Sequence, residues 1–344
     1  MLRISEYVSL GHPDKIADYI SQYLLDRYIT HDPDTRYAVE VQIKDSHVTL
    51  GGEVASKAKF TNKQLRQFVR RAVCEIGYTR EYQARWGREN VICGEDLNVH
   101  LHLSQQSPDI AQGLTGWGDQ GIFFGFCDVD NPDTHGMPID HDIAKIVCKS
   151  LFDSGLGGLD IKTQVVMEDE GTIKKLIVAI PLLHDTDTAA VEQHVRTRVG
   201  GDYELIINGT GRYVRHSSIA DCGTTGRKLA VDFYGGNCRI GGGSPWTKDA
   251  SKADLTLNLA ARHFAIEAAR KYKRTILVSL ACCIGKQEVD RCIQDTEGNV
   301  LKTDTVRLDP RQLREQFLLD TPIYASMCRW GLFGEFQQDK QWEK

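Results

Sequence analysis

Two stretches of the chain alternate apolar and polar residues and break in the middle on a polar tetrapeptide. Residues 37–43 and 48–54 flank Lys44-Asp45-Ser46-His47, and residues 161–167 and 173–181 flank Glu168-Asp169-Glu170-Gly171. Period-two patterning interrupted in this way predicts two β-hairpins, which commit the fold to antiparallel sheet. Other segments carry the helical period. Ile16, Ile20, Leu24 and Tyr28 share one face of an expected helix over 14–28. Thr61 caps a second helix, striped by Leu65, Phe68, Val69, Ala72, Val73 and Ile76 and ended by Gly77. Further helices are expected at 139–152, 188–199, 251–271 and 310–319, the last with proline in its first turn. Short strands are expected at 203–207 and 229–234, and a long one at 275–284. Helices alternating with hairpins give an α+β fold, with helices layered over mainly antiparallel sheets. No internal repeat stands out in the residues.

A chain of 344 residues is too long for one ordinary core. Its 42 basic and 47 acidic residues leave a net charge of −5, without the basic surplus expected of a nucleic-acid binder. Any bound anion must then be held by local clusters. The first fifteen residues lack the apolar core of a secretory leader, and no apolar run has the length of a membrane span. Ten cysteines occur without a C-x-x-C pair or zinc-like spacing, which suits a reduced cytoplasmic protein. Cys282 and Cys283 read as core residues of a strand. Cys222, beside Asp221, reads as a packing thiol.

Five clusters combine glycine with charge. Gly11-His12-Pro13-Asp14-Lys15 leads into the first helix; proline there places His12 at the cap. The free N–H groups of that end favour an anion, His12 and Lys15 add donors, and Asp14 could take a metal bridging phosphate oxygens. Gly51-Gly52-Glu53 ends a strand whose partner carries Glu40, and carboxylates at strand ends suit a cation or an amine. The glycine-rich run from Gly113 to Gly121 reads as a lid with Asp119 at its hinge. Asn208 to Tyr213 and Asp221 to Lys228 set glycines beside Arg212, Arg227 and Lys228, a pattern suited to phosphate. This is no Walker A loop, because Arg227 follows Gly226 and Leu229 follows Lys228. Gly241-Gly242-Gly243 then precedes Lys248, Lys252 and Asp254 at a helix start, with the lysines four apart on one face. No Ser-His-Asp or Cys-His order is readable.

Taken in register, GHPDK, GGE, GDQG, DCGTTGRK and GGG…KDASKAD resemble the S-adenosylmethionine synthetases (methionine adenosyltransferases). The match continues to Pro322-Ile323-Tyr324 and Gly331-Leu332-Phe333-Gly334. The resemblance implies three similar α/β domains, mainly antiparallel sheets with helices on one face, around a pseudo-threefold axis. Their expected bounds are 1–104, 105–218 with a lid near 105–118, and 219–344. It implies a homodimer with active sites between subunits, or a dimer of dimers. Methionine sulfur would attack C5′ of ATP, and the displaced triphosphate would be hydrolysed to pyrophosphate and phosphate. No general base is needed; alignment and stabilisation of leaving-group charge are.

By the same resemblance, His12, Lys162, Arg227 and Lys248 are the catalytic set. Lys15, Asp160, Arg212, Tyr213, Asp221, Lys228 and Ser244 join them in binding ATP. Glu53, Gln106, Asp119, Asp221 and Lys252 contact methionine. Asp14 and Asp254 hold two Mg²⁺ ions, and Glu40 lies near K⁺. The chain departs from the family at Leu10 (usually Glu), Ile240 (usually His), Pro245-Trp246-Thr247 (usually Phe-Ser-Gly) and Leu255 (usually Arg), and its lid segment is short. A nucleotide-binding protein without turnover would bind ATP and give no methionine-dependent product, whereas a metal-dependent ATP or polyphosphate hydrolase is distinguished by whether phosphate release needs methionine.

Overall fold

A computed structural model describes residues 2–105, 116–130, 134–168 and 171–344. Three four-stranded sheets organise it, each built from a helix, the hairpin after it and a third strand. The first strand, β1 (Leu2–Val8), stands apart from the unit that follows it. That first unit runs α1 (Pro13–His31), β2 (Arg36–Lys44), β3 (His47–Ala55), α2 (Asn62–Ile76), α3 (Arg80–Trp86) and β4 (Asn98–Ser104). After β5 (Gly121–Cys127), the second unit runs α4 (Ile139–Ser154), β6 (Lys162–Glu168), β7 (Ile173–Ala179), α5 (Thr188–Arg198) and β8 (Glu204–Ile207). β9 (Gly223–Thr224) and α6 (Leu229–Asp232) lead to the third: α7 (Ala253–Tyr272), β10 (Ile276–Cys282), β11 (Glu288–Asp295) and β12 (Val300–Arg307). α8 (Pro310–Gln316) and α9 (Tyr324–Met327) close the chain.

Each sheet takes its fourth strand from outside its own unit. β9 lies antiparallel on β2, β1 on β6, and β5 on β10. In the first two units the hairpin is antiparallel and the third strand parallel, in the orders β4-β3-β2-β9 and β1-β6-β7-β8. The repeat that the residues did not show is therefore present in the topology.

The expected hairpins and helices all form. Thr61 and Gln64 make a reciprocal capping box on α2, and Gly77 ends it at φ 124°. The 229–234 segment differs from its expectation: it is the short helix α6, not a strand. Asp232 and Phe233 bond back to the carbonyls of Lys228 and Leu229. Strands β1, β4, β5, β9, β11 and β12 were not expected. Only one of the two adjacent cysteines is in the core: Cys282 is buried at the end of β10 and Cys283, just past it, is exposed.

Helix α1 is buried on nearly every face. Its apolar stripe packs as expected, but its polar side chains face protein too. Asp18 accepts from Gly226 N, Ser21 donates to Val39 O, Gln22 accepts from Thr247 N, and Asp26 accepts from the amides of Tyr324 and Ala325. A central helix thus satisfies exposed backbone groups of distant segments, as buried polar groups must.

Candidate active site

The site begins at the first turn of α1. His12 is its N-cap, and its Nδ1 accepts the Asp14 amide at 3.1 Å. A neutral ring that accepts at Nδ1 carries its proton on Nε2, which leaves that N–H free to donate. The ring is held neutral: burial pushes its pKa down to about 2, with Lys162 and Lys228 adding repulsion. Asp14 accepts from Thr224 N at 2.9 Å and Lys228 Nζ at 2.5 Å, with Arg227 Nη1 at 3.9 Å.

The 159–162 segment is fastened beside this turn. Ser9 donates from its hydroxyl to Leu159 O and from its amide to Ile161 O, and its hydroxyl accepts from Ile161 N. Gly11 is required there, because a Cβ would overlap the Leu159 carbonyl. Lys162 opens β6 opposite Val8. Asp160 accepts from Ser217 N, while its other oxygen is buried and unpartnered. Burial raises Asp160 to about 7 against the pull of Lys162, with Asp221 and Asp14 adding to the rise. Tyr213 lies close enough to Asp160 to feel its charge, and burial and that carboxylate both push its phenol upward.

A second cluster sits on the outward face of the first sheet and the start of α7. Glu40 and Glu53 share that face, since Glu40 pairs with Gly51 and Ala38 with Glu53. Glu40 accepts from the hydroxyls of Thr225 and Thr247, which joins the 223–228 segment to the 243–248 segment. Lys248 pairs with Asp254, and a Cβ on Gly243 would overlap the Asp254 carboxylate. Cys282 donates weakly to Asp119 O, and its thiol, raised first by burial, feels both Asp119 and Asp254. Among the described residues, no hydrogen bond or ion pair joins the Lys248–Asp254 pair to His12, Asp14 or Lys162.

Several of the expected site residues have protein partners of their own. Lys15 does not face this surface: it is buried, with its ammonium on Asp232 at 2.6 and 2.8 Å and on Asp18 at 3.2 Å. Arg212 donates to Leu183 O and lies near the Thr188 hydroxyl, because its turn packs on the loop before α5. Lys248 and Lys252 do not share a helical face, since α7 starts at Ala253 with Lys252 as its N-cap. Asp119 and Asp221 each accept from the next residue's amide. Ser244 Oγ accepts from Trp246 N. Gln106 and most of the expected lid lie outside the described residues. Leu10 and Leu255 are buried in the core, so those two departures are matters of packing. The residues missed from sequence are Asp18, Thr225, Asp232, Trp246 and Thr247. All lie in or beside the motifs, but the hydroxyls carry no charge and the buried acids resemble ordinary helix residues.

A hard divalent cation that travels with polyphosphate needs only one or two protein carboxylates and is rarely caged by protein alone. Asp14 and Asp254 supply one each, both neutralised by a lysine. Among the described residues no three His, Cys, Asp or Glu side chains gather as metal ligands. The donor set thus fits a cation shared with phosphate oxygens. Among the described residues, no helix is long and apolar enough to cross a membrane.

The S-adenosylmethionine synthetase N-terminal domain matches residues 1–108, and the C-terminal domain of the same family matches residues 216–344. S-adenosylmethionine synthase 1 of Frankia casuarinae is 33% identical over 99% of this chain and 95% of its own length. The S-adenosylmethionine synthase of Pelagibacter ubique is 31% identical over the same shares. An unusual S-adenosylmethionine synthetase from Campylobacter jejuni has the same fold, with a TM-score of 0.90 and 29% identity over 100% of this chain and 96% of its own. With the motifs, the fold and the cation-lined helix end in agreement, the chain belongs to the S-adenosylmethionine synthetase family.

Proposed function

We propose that this enzyme, which forms S-adenosylmethionine from ATP and methionine, works through the two clusters described above, brought together across a homodimer. The observation that carries this reading is the end of α1. His12 presents a neutral Nε2–H donor there, beside Lys162, Lys228 and Arg227, with Asp14 held by Lys228 and with Asp221 close enough for its charge to be felt. That is a site for an anion and not for a proton acceptor. His12 donates to the oxygen between C5′ and the leaving triphosphate. Lys162, Arg227 and Lys228 from one subunit and Lys248 from the other take its growing charge. Asp14 and Asp254 would hold Mg²⁺, two ions per site, which would supply charge neutralisation on the phosphate oxygens. Glu40, fixed by two threonines, would lie near K⁺. Tyr213 and Asp160 flank adenosine; Asp221 and Asp119 lie between adenosine and methionine, with Glu53, Gln106 and Lys252 toward methionine. Ser244 approaches the nucleotide from the 243–248 segment. The bound triphosphate is then hydrolysed to pyrophosphate and phosphate. The chain divides near 104 and 218 into three domains that exchange β1, β5 and β9, and it acts in the cytoplasm as a dimer or a dimer of dimers.

The test is product analysis with ATP, methionine, Mg²⁺ and K⁺. Sulfonium product accompanied by both pyrophosphate and phosphate is expected. Phosphate release independent of methionine, with no sulfonium, would reject the reading in favour of a hydrolase. Gly243→Ala is expected to lower kcat about 10²-fold, since a displacement near 1 Å at reacting groups has that effect. The added methyl overlaps the Asp254 carboxylate and pushes the Lys248–Asp254 pair out of place. Steady-state kinetics with an unchanged kcat would contradict this.

A further inference from the structure

Lys15 was expected to touch phosphate, and the structure gives it another task. One ammonium joins two buried carboxylates, and each carboxylate holds a different phosphate-binding segment. Asp18 accepts the Gly226 amide at 2.8 Å, immediately before Arg227 and Lys228. Asp232 accepts the Trp246 indole N–H at 2.8 Å, two residues before Lys248. Lys15 bridges the two acids and lies 4.7 Å from the centroid of the Trp246 ring. Trp246 is wholly buried, and Lys15 is 2% exposed. Burial opposes the charge on Lys15, but Asp232 and Asp18 hold it protonated well above the usual lysine range. Trp246 stands where the family usually has serine, so the indole arm belongs to this chain.

We propose that Lys15, Asp18, Asp232 and Trp246 form a buried clamp that fixes the 223–228 and 243–248 segments against α1, so that each chain presents Arg227 and Lys228 to one site and Lys248 to the site it shares with its partner, with Lys15 as a positioning residue that never touches the triphosphate. The proposal rests on the reading that those two segments hold phosphate. Trp246→Phe separates the two possible roles of Lys15. It keeps the ring against the ammonium, removes only the indole N–H, and touches no phosphate. Losing a hydrogen bond to a buried carboxylate lets the 243–248 segment drift from its partner.

Binding of inorganic tripolyphosphate with Mg²⁺ is measured by calorimetry on the full-length protein, alongside the KM for methionine. Trp246→Phe is expected to weaken tripolyphosphate about tenfold, the effect of one charge-assisted hydrogen bond. Its methionine KM is expected to stay within about twofold, because uniform loosening would move both. Lys15→Met is expected to weaken tripolyphosphate further. The double variant is expected to bind no worse than Lys15→Met alone, the mark of residues acting through one unit. Tripolyphosphate affinity in Trp246→Phe within about twofold of wild type, or a methionine KM that shifts as far as the tripolyphosphate affinity, would overturn the clamp. Arg227→Gln is the control for the underlying reading. If it too binds tripolyphosphate normally, the phosphate assignment fails and the clamp falls with it; if Arg227→Gln is weak and Trp246→Phe is not, only the clamp fails.

Discussion

Replacing His12 with asparagine slows sulfonium formation by about 10²–10³-fold while ATP still binds, the loss typical of one donor aimed at developing charge. Asparagine is a good N-cap, so its side-chain oxygen can still accept the Asp14 amide that His12 Nδ1 now accepts. The helix end and the cation cluster around Asp14 should persist. What disappears is the Nε2–H beyond the cap, because the shorter amide cannot reach as far. Rapid-quench single turnover separates this step from binding. Weakened ATP binding with an unchanged single-turnover rate would place His12 in ground-state recognition instead.

Arg262→Met is expected to cost about 3–5 kcal/mol of stability, the range for breaking a buried ion pair from one side. Arg262 on α7 is fully buried. Its guanidinium donates to both carboxylate oxygens of Glu343 and to the carbonyls of Phe126, His135 and Gly136. It thereby ties α7, the exit of β5 and the last residues of the chain into one unit. Methionine fills much of the volume but leaves the buried Glu343 carboxylate without its counter-charge and takes one donor from each of three carbonyls. Lysine does not rescue the variant, since a single ammonium cannot span five acceptors set out for a planar fork. Chemical denaturation followed by fluorescence reads the loss. A change below about 1 kcal/mol, the scale of an exposed pair, would show that the chain end contributes little to folding.

The elements were legible wherever one physical signal dominated. The hairpins 36–55 and 162–179 follow from alternation, and α2 follows from its cap, stripe and terminal glycine. What the residues do not encode locally is exchange. Nothing in Leu2–Val8 says that it pairs with a strand some 160 positions later, nor in Gly121–Cys127 that it completes the third sheet. β5 was hidden for a further reason: its glycines and phenylalanines follow the glycine-rich run and read as its continuation. In the site, charge next to glycine picked out segments that come together, since Asp14, Arg227 and Lys228 meet. Charge alone did not say which way each side chain points. Lys15 follows Asp14 by one position, about 100° around the helix, and that rotation carries it from the phosphate side into the core. Nor did composition say that the guanidinium of Arg212 would lie on the 183–188 loop.

The central claim is that His12 and Asp254 serve the same triphosphate from different subunits. Complementation tests it most directly. His12→Asn and Asp254→Asn chains, each inactive alone, are co-expressed with distinct tags, and the mixed species is assayed for sulfonium product. In a mixed dimer with shared sites, one site receives an intact His12 and an intact Asp254, so activity returns; random pairing gives about a quarter of the wild-type value for the whole mixture. If each site were built within one chain, every site in the mixed dimer would carry a defect, and the co-expressed protein would stay as inactive as its parents.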